Sequence, residues 1–352
     1  MAVYPGGYNE LRAARVRTIF YIIGVVIIVG IVGVAGYFLL RQRGGAQETP
    51  PTAQPQTAEQ SQPKAQAPAQ ERVEPSAIVP AAAEPTPAAP AAFTADANPG
   101  VSALIAQAMA LVNQQGGGSK VIEARDRFNE ILPMAGGEQR AFAKEQLTAL
   151  ADKWLFSKGV YPEDKLCTSY KVNSGDLLAN IGKQHNVPYE ILMQINNISK
   201  PELLQAGAVI KVINGPFNAR VYRSTFTMDL YLQNTYVKSF AVGLGKPGME
   251  TPKGRWRVKA DGKLIKPIWT DPVSGRTYHP EDPDYPLGSR WIALEGIEGD
   301  AVGKKGFAIH GTKDPGQIGT PGSQGCIRLH NGDAVTVYNL MMPERSLVDV
   351  VD

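Results

Sequence analysis

The chain has 352 residues, with 36 basic and 33 acidic side chains and a formal net charge of +3. Its length allows two or three domains of roughly 100–200 residues each, and so small a charge gives no argument for a nucleic-acid partner. Two cysteines, Cys167 and Cys326, cannot build a disulfide framework or a four-thiolate metal site, although a single disulfide stays formally open.

Residues 19–40 carry no charge. As a helix they would be about 33 Å long, enough for a ~30 Å hydrocarbon core. Tyr21 and Tyr37 lie near the two expected interfaces. Arg12, Arg15 and Arg17 precede the run, and Arg41 and Arg43 follow it, a weak bias toward an inside N-terminus. The alternative is a cleaved signal peptide. Against it, the apolar run exceeds a 7–15-residue signal core and no clear small-x-small site follows. The expectation is residues 1–18 in the cytoplasm and an uncleaved transmembrane helix over 19–40.

Residues 44–98 hold ten prolines and one aromatic residue, Phe93, among Ala, Gln, Glu and Thr. Such a segment cannot bury enough apolar surface to offset its ordering entropy, so a disordered linker is expected. Residues 100–158 predict a small helical bundle. Leu104, Ile105, Met109, Leu111 and Val112 fit one helical face; Val121, Ala124, Phe128, Ile131 and Leu132 fit a second after the breaker Gly116-Gly117-Gly118; Phe142, Leu147, Leu150, Trp154 and Leu155 fit a third. The unit resembles a tetratricopeptide-type helical segment, without a clean 34-residue repeat. Packing or contact with a protein partner is expected of it, not catalysis.

Residues 169–213 read as strand, helix, helix, strand. Tyr170, Val172, Gly175, Asp176, Leu178, Ile181, Val187, Asn196, Leu204, Gly207 and Val212 carry the pattern. Their spacing resembles the lysin motif, LysM, with Gly182 in place of a small alanine. That resemblance implies a βααβ fold that binds glycans containing N-acetylglucosamine, such as peptidoglycan.

Residues 218–352 are rich in Val, Tyr, Thr and Phe. Strands are expected at 219–226, 227–233, 237–242, 255–260, 291–294 and 307–309, in a mostly antiparallel sandwich or barrel-like sheet. One late helix through Met341 would be capped by Asn331 or Asp333. Two motifs stand out: Ile309-His310-Gly311-Thr312 and Ser323-Gln324-Gly325-Cys326-Ile327-Arg328-Leu329. The polar loop between them can bring His310 to Cys326, and an imidazole beside a thiol raises its nucleophilic fraction. The amides of Gly325 and Cys326 could form an oxyanion site.

His310, Gly311, Thr312, Ser323, Gly325, Cys326 and Arg328 resemble the L,D-transpeptidase catalytic signature. Thr251 to Gly254 and Pro286 to Trp291 match further segments of that family. Gln324 departs from it, standing where many members carry a second histidine. The resemblance implies Cys326 as nucleophile, His310 as general base and acid, the Gly311 carbonyl as the group orienting His310, and Gly325 at the oxyanion site. It implies substrate contacts from Arg328, Ser323 and Thr312, and a lid over the donor groove from residues 261–290. The implied reaction releases D-Ala from a stem tetrapeptide and passes the acyl group to an amine, giving a 3→3 cross-link. No cofactor or metal is expected, and His279 and His330 are read as non-catalytic. Two other readings fit less well: a wall-binding scaffold without turnover would lack the Cys or the His, and both are present, and a papain-like wall amidase would place its cysteine before its histidine, whereas His310 comes first. The whole is a multidomain α+β chain whose domains after residue 40 lie outside the cytoplasmic membrane.

Overall fold

The computed structural model describes residue 93, residues 98–114 and residues 117–352. The expected cytoplasmic segment, membrane helix and most of the linker lie outside the described residues. Among the described residues no helix is long and apolar enough to cross a membrane.

Three helices come first: α1 (Pro99–Val112), α2 (Gly117–Ile131) and α3 (Gly137–Trp154). Asn98 starts α1, its side-chain oxygen accepting from the amides of Gly100 and Val101, with Pro99 at the first helical position. Ile105, Phe128, Ile131, Leu147 and Trp154 are fully buried between the helices. The expected glycine break is narrower than read: α1 ends at Val112 and α2 begins at Gly117, so Gly117 and Gly118 belong to its first turn. Glycine in a helix costs only about 1 kcal/mol against alanine, which packing of the apolar face outweighs.

The next unit is β1 (Cys167–Lys171), α4 (Leu178–Gln184), α5 (Tyr189–Asn196) and β2 (Val209–Ile213). The strands pair antiparallel, Cys167 opposite Ile213 and Lys171 opposite Val209. Leu178, Ile181, Val187, Ile191, Leu192 and Ile195 fill the core beneath them. Gly182 now has a reason: a Cβ there would lie 2.6 Å from the Val187 carbonyl oxygen, so even alanine would force the turn apart. Lys211 on β2 is buried, and its ammonium donates to the carbonyls of Trp154, Ser157 and Gly159 at 2.5, 2.9 and 2.8 Å. It thereby satisfies the open end of α3 and ties the bundle to this unit.

The remaining strands are β3 (Phe217–Tyr222), β4 (Thr227–Leu232), β5 (Thr235–Ala241), β6 (Leu244–Gly245), β7 (Gly254–Leu264), β8 (Trp269–Thr270), β9 (Thr277–Tyr278), β10 (Trp291–Glu298), β11 (Ala308–His310), β12 (Pro321–Ser323), β13 (Ile327–Arg328) and β14 (Leu347–Val351). One helix, α6 (Asn331–Leu340), precedes β14. Eight of the strands form one sheet in the order β13-β11-β10-β7-β14-β3-β4-β5. The β11–β13 and β14–β3 pairs are parallel and the others antiparallel. Alternation sets the faces: Phe217, Ala219 and Val221 turn into the core while Asn218, Arg220 and Tyr222 face outward. β14, not expected from sequence, sits near the centre of the sheet.

The bundle covers the β5 edge. Asn129 accepts from the Tyr236 amide at 3.0 Å, and Lys144 pairs with the buried Asp229 at 2.6 Å. An edge strand engaged this way is not free to pair with another chain. On the other side α5 packs against α6, where Lys263 meets Glu190 at 3.5 Å and lies over the Tyr338 ring at 4.3 Å.

Candidate active site

The opposite edge of the sheet carries the chemistry. In the parallel β11–β13 pair, Ile309 faces Ile327 and His310 faces Arg328. Cys326, one residue before β13, therefore lies beside the strand that ends in His310. The loop between the two motifs returns as β12 pairs with β6.

His310 is buried, and its Nδ1 lies 2.6 Å from the Gly311 carbonyl oxygen. A carbonyl can only accept, so Nδ1 carries the proton and the Nε2 lone pair is left for base chemistry. Trp291 stacks on the ring at 5.5 Å. Burial pushes the imidazole down to about 4, against the carbonyls of Gly311 and Leu287, which favour its charged form.

The Gly311 turn is held from α6. Asn331 accepts from the Ser289 amide at 2.9 Å and donates to the Thr312 carbonyl at 2.9 Å. The expected capping role of Asn331 is corrected accordingly: His330 occupies the cap position without a side-chain bond, and neither Asn331 nor Asp333 serves there. A Cβ on Gly288 or Gly311 would fall 2.1 or 2.2 Å from the Asn331 oxygen, so both glycines are required for this approach.

Cys326 is half-buried, with its sulfur 3.6 Å from the Gly306 carbonyl. Burial pushes the thiol up to about 11, partly offset by the Ala308 amide and by the Arg328 charge. Burial thus favours the neutral form of both groups.

Gly325 has φ 110°, and a Cβ there would sit 2.6 Å from the Phe307 ring. Its carbonyl accepts from Thr251 Oγ1 at 2.8 Å, and its amide donates to Ser323 Oγ at 3.0 Å. Ser323 Oγ in turn donates to the Cys326 carbonyl at 2.7 Å. The Gly325 amide is thus already committed, contrary to its expected place among oxyanion donors. Ser323 is buried inside the cysteine turn. Thr312 is buried too, its hydroxyl bonded to the amide and carbonyl of Asp314. Each hydroxyl is bonded within its own loop, because a buried hydroxyl must find local partners.

Arg328 is half-buried. Its Nη1 reaches only the Gly322 carbonyl at 3.5 Å, its Nε has no partner, and burial lowers its pKa. A guanidinium without a carboxylate partner suits an incoming carboxylate or carbonyl. The expected lid region contains the β8–β9 hairpin, where Trp269 stacks on Tyr278 at 6.0 Å and Asp271 meets Gln324 at 3.4 Å. His279 lies in the loop after β9, and His330 is exposed. Asn331 and Trp291 escaped the sequence reading as site residues, since no local pattern marks a side chain that acts across 20 or 40 positions.

The fold is a βααβ unit followed by a mixed β-sheet domain that presents a thiol and an imidazole at one edge. Residues 170–212 match the family model of the LysM domain, and residues 218–350 match that of the L,D-transpeptidase catalytic domain. The C-terminal half of the chain is therefore a LysM domain joined to a domain of the L,D-transpeptidase catalytic family. A putative L,D-transpeptidase of Bacillus subtilis is 28% identical over 183 residues, spanning 49% of this chain and 93% of its own. A probable L,D-transpeptidase of Escherichia coli is also 28% identical, over 50% of this chain and 51% of its own. An L,D-transpeptidase structure from Mycobacterium tuberculosis overlaps 42% of this chain and 64% of its own at 18% identity, with a TM-score of 0.32.

Proposed function

We propose that the chain is a peptidoglycan L,D-transpeptidase with Cys326 as nucleophile and His310 as its base. The observation that supports this reading is the parallel β11–β13 pairing, which puts Cys326 next to the strand that ends in the buried His310, whose Nδ1 is engaged by the Gly311 carbonyl. The Cys326 sulfur attacks the carbonyl after the L-centre of the third stem residue, and the thiol proton passes to His310 Nε2. The tetrahedral intermediate collapses, the C–N bond to D-Ala breaks, and His310 returns the proton to the leaving amine. A thioester remains on Cys326. An amine from a neighbouring stem then displaces the thiol, forming the 3→3 amide and restoring the enzyme.

With the Gly325 amide engaged, the Cys326 amide is the remaining donor of the expected oxyanion pair. Ser323, Thr251 and Gly325 shape the turn that presents the sulfur, and Arg328 binds a substrate carboxylate or carbonyl beside it. The LysM domain holds the glycan. Substrate of this kind lies outside the cytoplasmic membrane, so the domains work there, tethered by residues 19–40 through the proline-rich segment.

Intact-mass spectrometry of the protein with a disaccharide-tetrapeptide tests the reading. A thioester adduct on Cys326, with released D-Ala and a cross-linked dimer, is expected. A folded protein with reduced Cys326 and no adduct would leave a wall-binding scaffold instead.

A further inference from the structure

The bundle does more than cover a sheet edge. Together with the outward face of β3, β4 and β14 it lines an open groove of about 780 Å³. Helices α2 and α3 form one wall through Asn129, Arg140 and Lys144, and the strands form the floor through Arg220, Tyr222 and Tyr231. Arg220 on β3 lies four strands from β11 in the sheet, roughly 19 Å from the thiol edge at about 4.8 Å per strand. This groove is therefore not the donor site.

Its charge is unbalanced. Four cations line it, Arg140, Lys144, Arg220 and Arg255, against two carboxylates, Asp229 and Asp349. Lys144 is taken by Asp229 at 2.6 Å, and Arg255 takes Asp349 at 2.7 Å. Arg220 is left with Asp349 only at 3.7 Å, and Arg140 spends its Nε on the Ala135 carbonyl. Arg140 thus faces the groove without a carboxylate, and the exposed Arg220 has only a long contact to Asp349, which Arg255 already holds. Tyr222, Tyr231 and Asn234 also line it, as do Asn129 and Gln233, whose side-chain amides are already bonded to the backbone. Tyrosine faces suit sugar rings, and guanidiniums with donors to spare suit carboxylates.

We propose that this groove binds a second peptidoglycan strand, with Arg140 and Arg220 on the free carboxylates of its stem peptides. The inference rests on the transpeptidase reading, because a cross-linking enzyme needs an acceptor strand held apart from the donor. It assigns the helical bundle a role as one wall of that binding site.

The test uses the full chain with Arg140 and Arg220 both changed to Ala, and a second variant with both changed to Lys. Cosedimentation with purified sacculi is measured with chitooligosaccharide present to occupy the LysM domain, beside turnover of a soluble disaccharide-tetrapeptide. The alanine variant is expected to bind sacculi about 5–10-fold more weakly, the loss shrinking at high salt. Its turnover of the soluble donor stays at the wild-type level, and the lysine variant recovers most of the binding. Unchanged sacculus binding by the alanine variant would overturn the proposal. So would a loss seen only with sacculi that retain phosphate-rich wall polymers, which would make such a polymer the ligand. Wild-type protein inert on the soluble donor would instead count against the transpeptidase reading, whatever the binding result.

Discussion

The two cysteines share a perturbed titration and little else. Cys167, on β1, is fully buried, and burial pushes its thiol up to about 12. Cys326 is pushed up to about 11 by the same cause. High thiol pKa therefore does not separate a core residue from a candidate nucleophile. What separates them is the surroundings: Cys326 has an imidazole on the neighbouring strand, a guanidinium without a carboxylate two residues on and a path to solvent, whereas Cys167 is buried on a strand of the LysM sheet near Lys211.

The largest expected effect sharpens that contrast. Cys326→Ala should abolish adduct formation and lower turnover by at least about 10⁴-fold, while Cys167→Ala keeps turnover within about twofold and costs roughly 1 kcal/mol of stability. Adduct mass and denaturant melts of both variants check this; an active Cys326→Ala protein would end the comparison. Next comes Gly325→Ala. The positive φ and the Phe307 ring 2.6 Å from a new Cβ should displace the thiol turn, cutting kcat about 100-fold while the circular dichroism spectrum stays native.

Asn331→Ala should lower kcat by about 10–100-fold with little change in KM, because it releases the turn that aims His310 without touching substrate. Steady-state kinetics on the soluble donor separate the two constants. The pH responses come after. His310 is depressed in the fold from an unfolded value near 6.5, so the unfolded chain takes up its proton first as pH falls. Its contribution is complete above about 6.5 and is lost down to about 4, up to roughly 3 kcal/mol. Melting temperatures of wild type and His310→Gln should converge across that window. The Cys326 thiol has the opposite sense: iodoacetamide should label it at a rate that still climbs above pH 9, with no plateau near 8.5. The smallest effect is expected at Lys263→Met. Loss of its long ion pair to Glu190 should cost under about 1 kcal/mol and leave soluble-donor turnover intact.

Much of this was legible along the chain. The three helices of the bundle, the βααβ order around Gly175 and Gly207, and the strands β3, β4, β5, β7, β10 and β11 follow from local periodicity and turn residues, which act over a few positions, whereas the two-residue strands β6, β8 and β9 do not. So do the two motifs that hold His310 and Cys326. The strand β14 was not legible, since Leu347 to Val351 is five residues long and owes its place to partners β7 and β3, each about 90 or more residues earlier. The uses of Ser323 and Thr312 were equally hidden: a serine or threonine in a polar loop reads as surface, and only burial turns its hydroxyl to the backbone.

By itself, then, the sequence determined which residues could react and in what order the modules come, because both depend on residue type and short spacing. Tertiary structure decided which of them meet. The parallel β11–β13 pair sets the strand that ends in His310 beside the turn that carries Cys326, Asn331 reaches from α6 to hold the histidine turn, and Lys211 ties the LysM sheet to the end of α3. Each of these joins groups far apart in the chain, where the free energy of contact depends on a shape that no local pattern records.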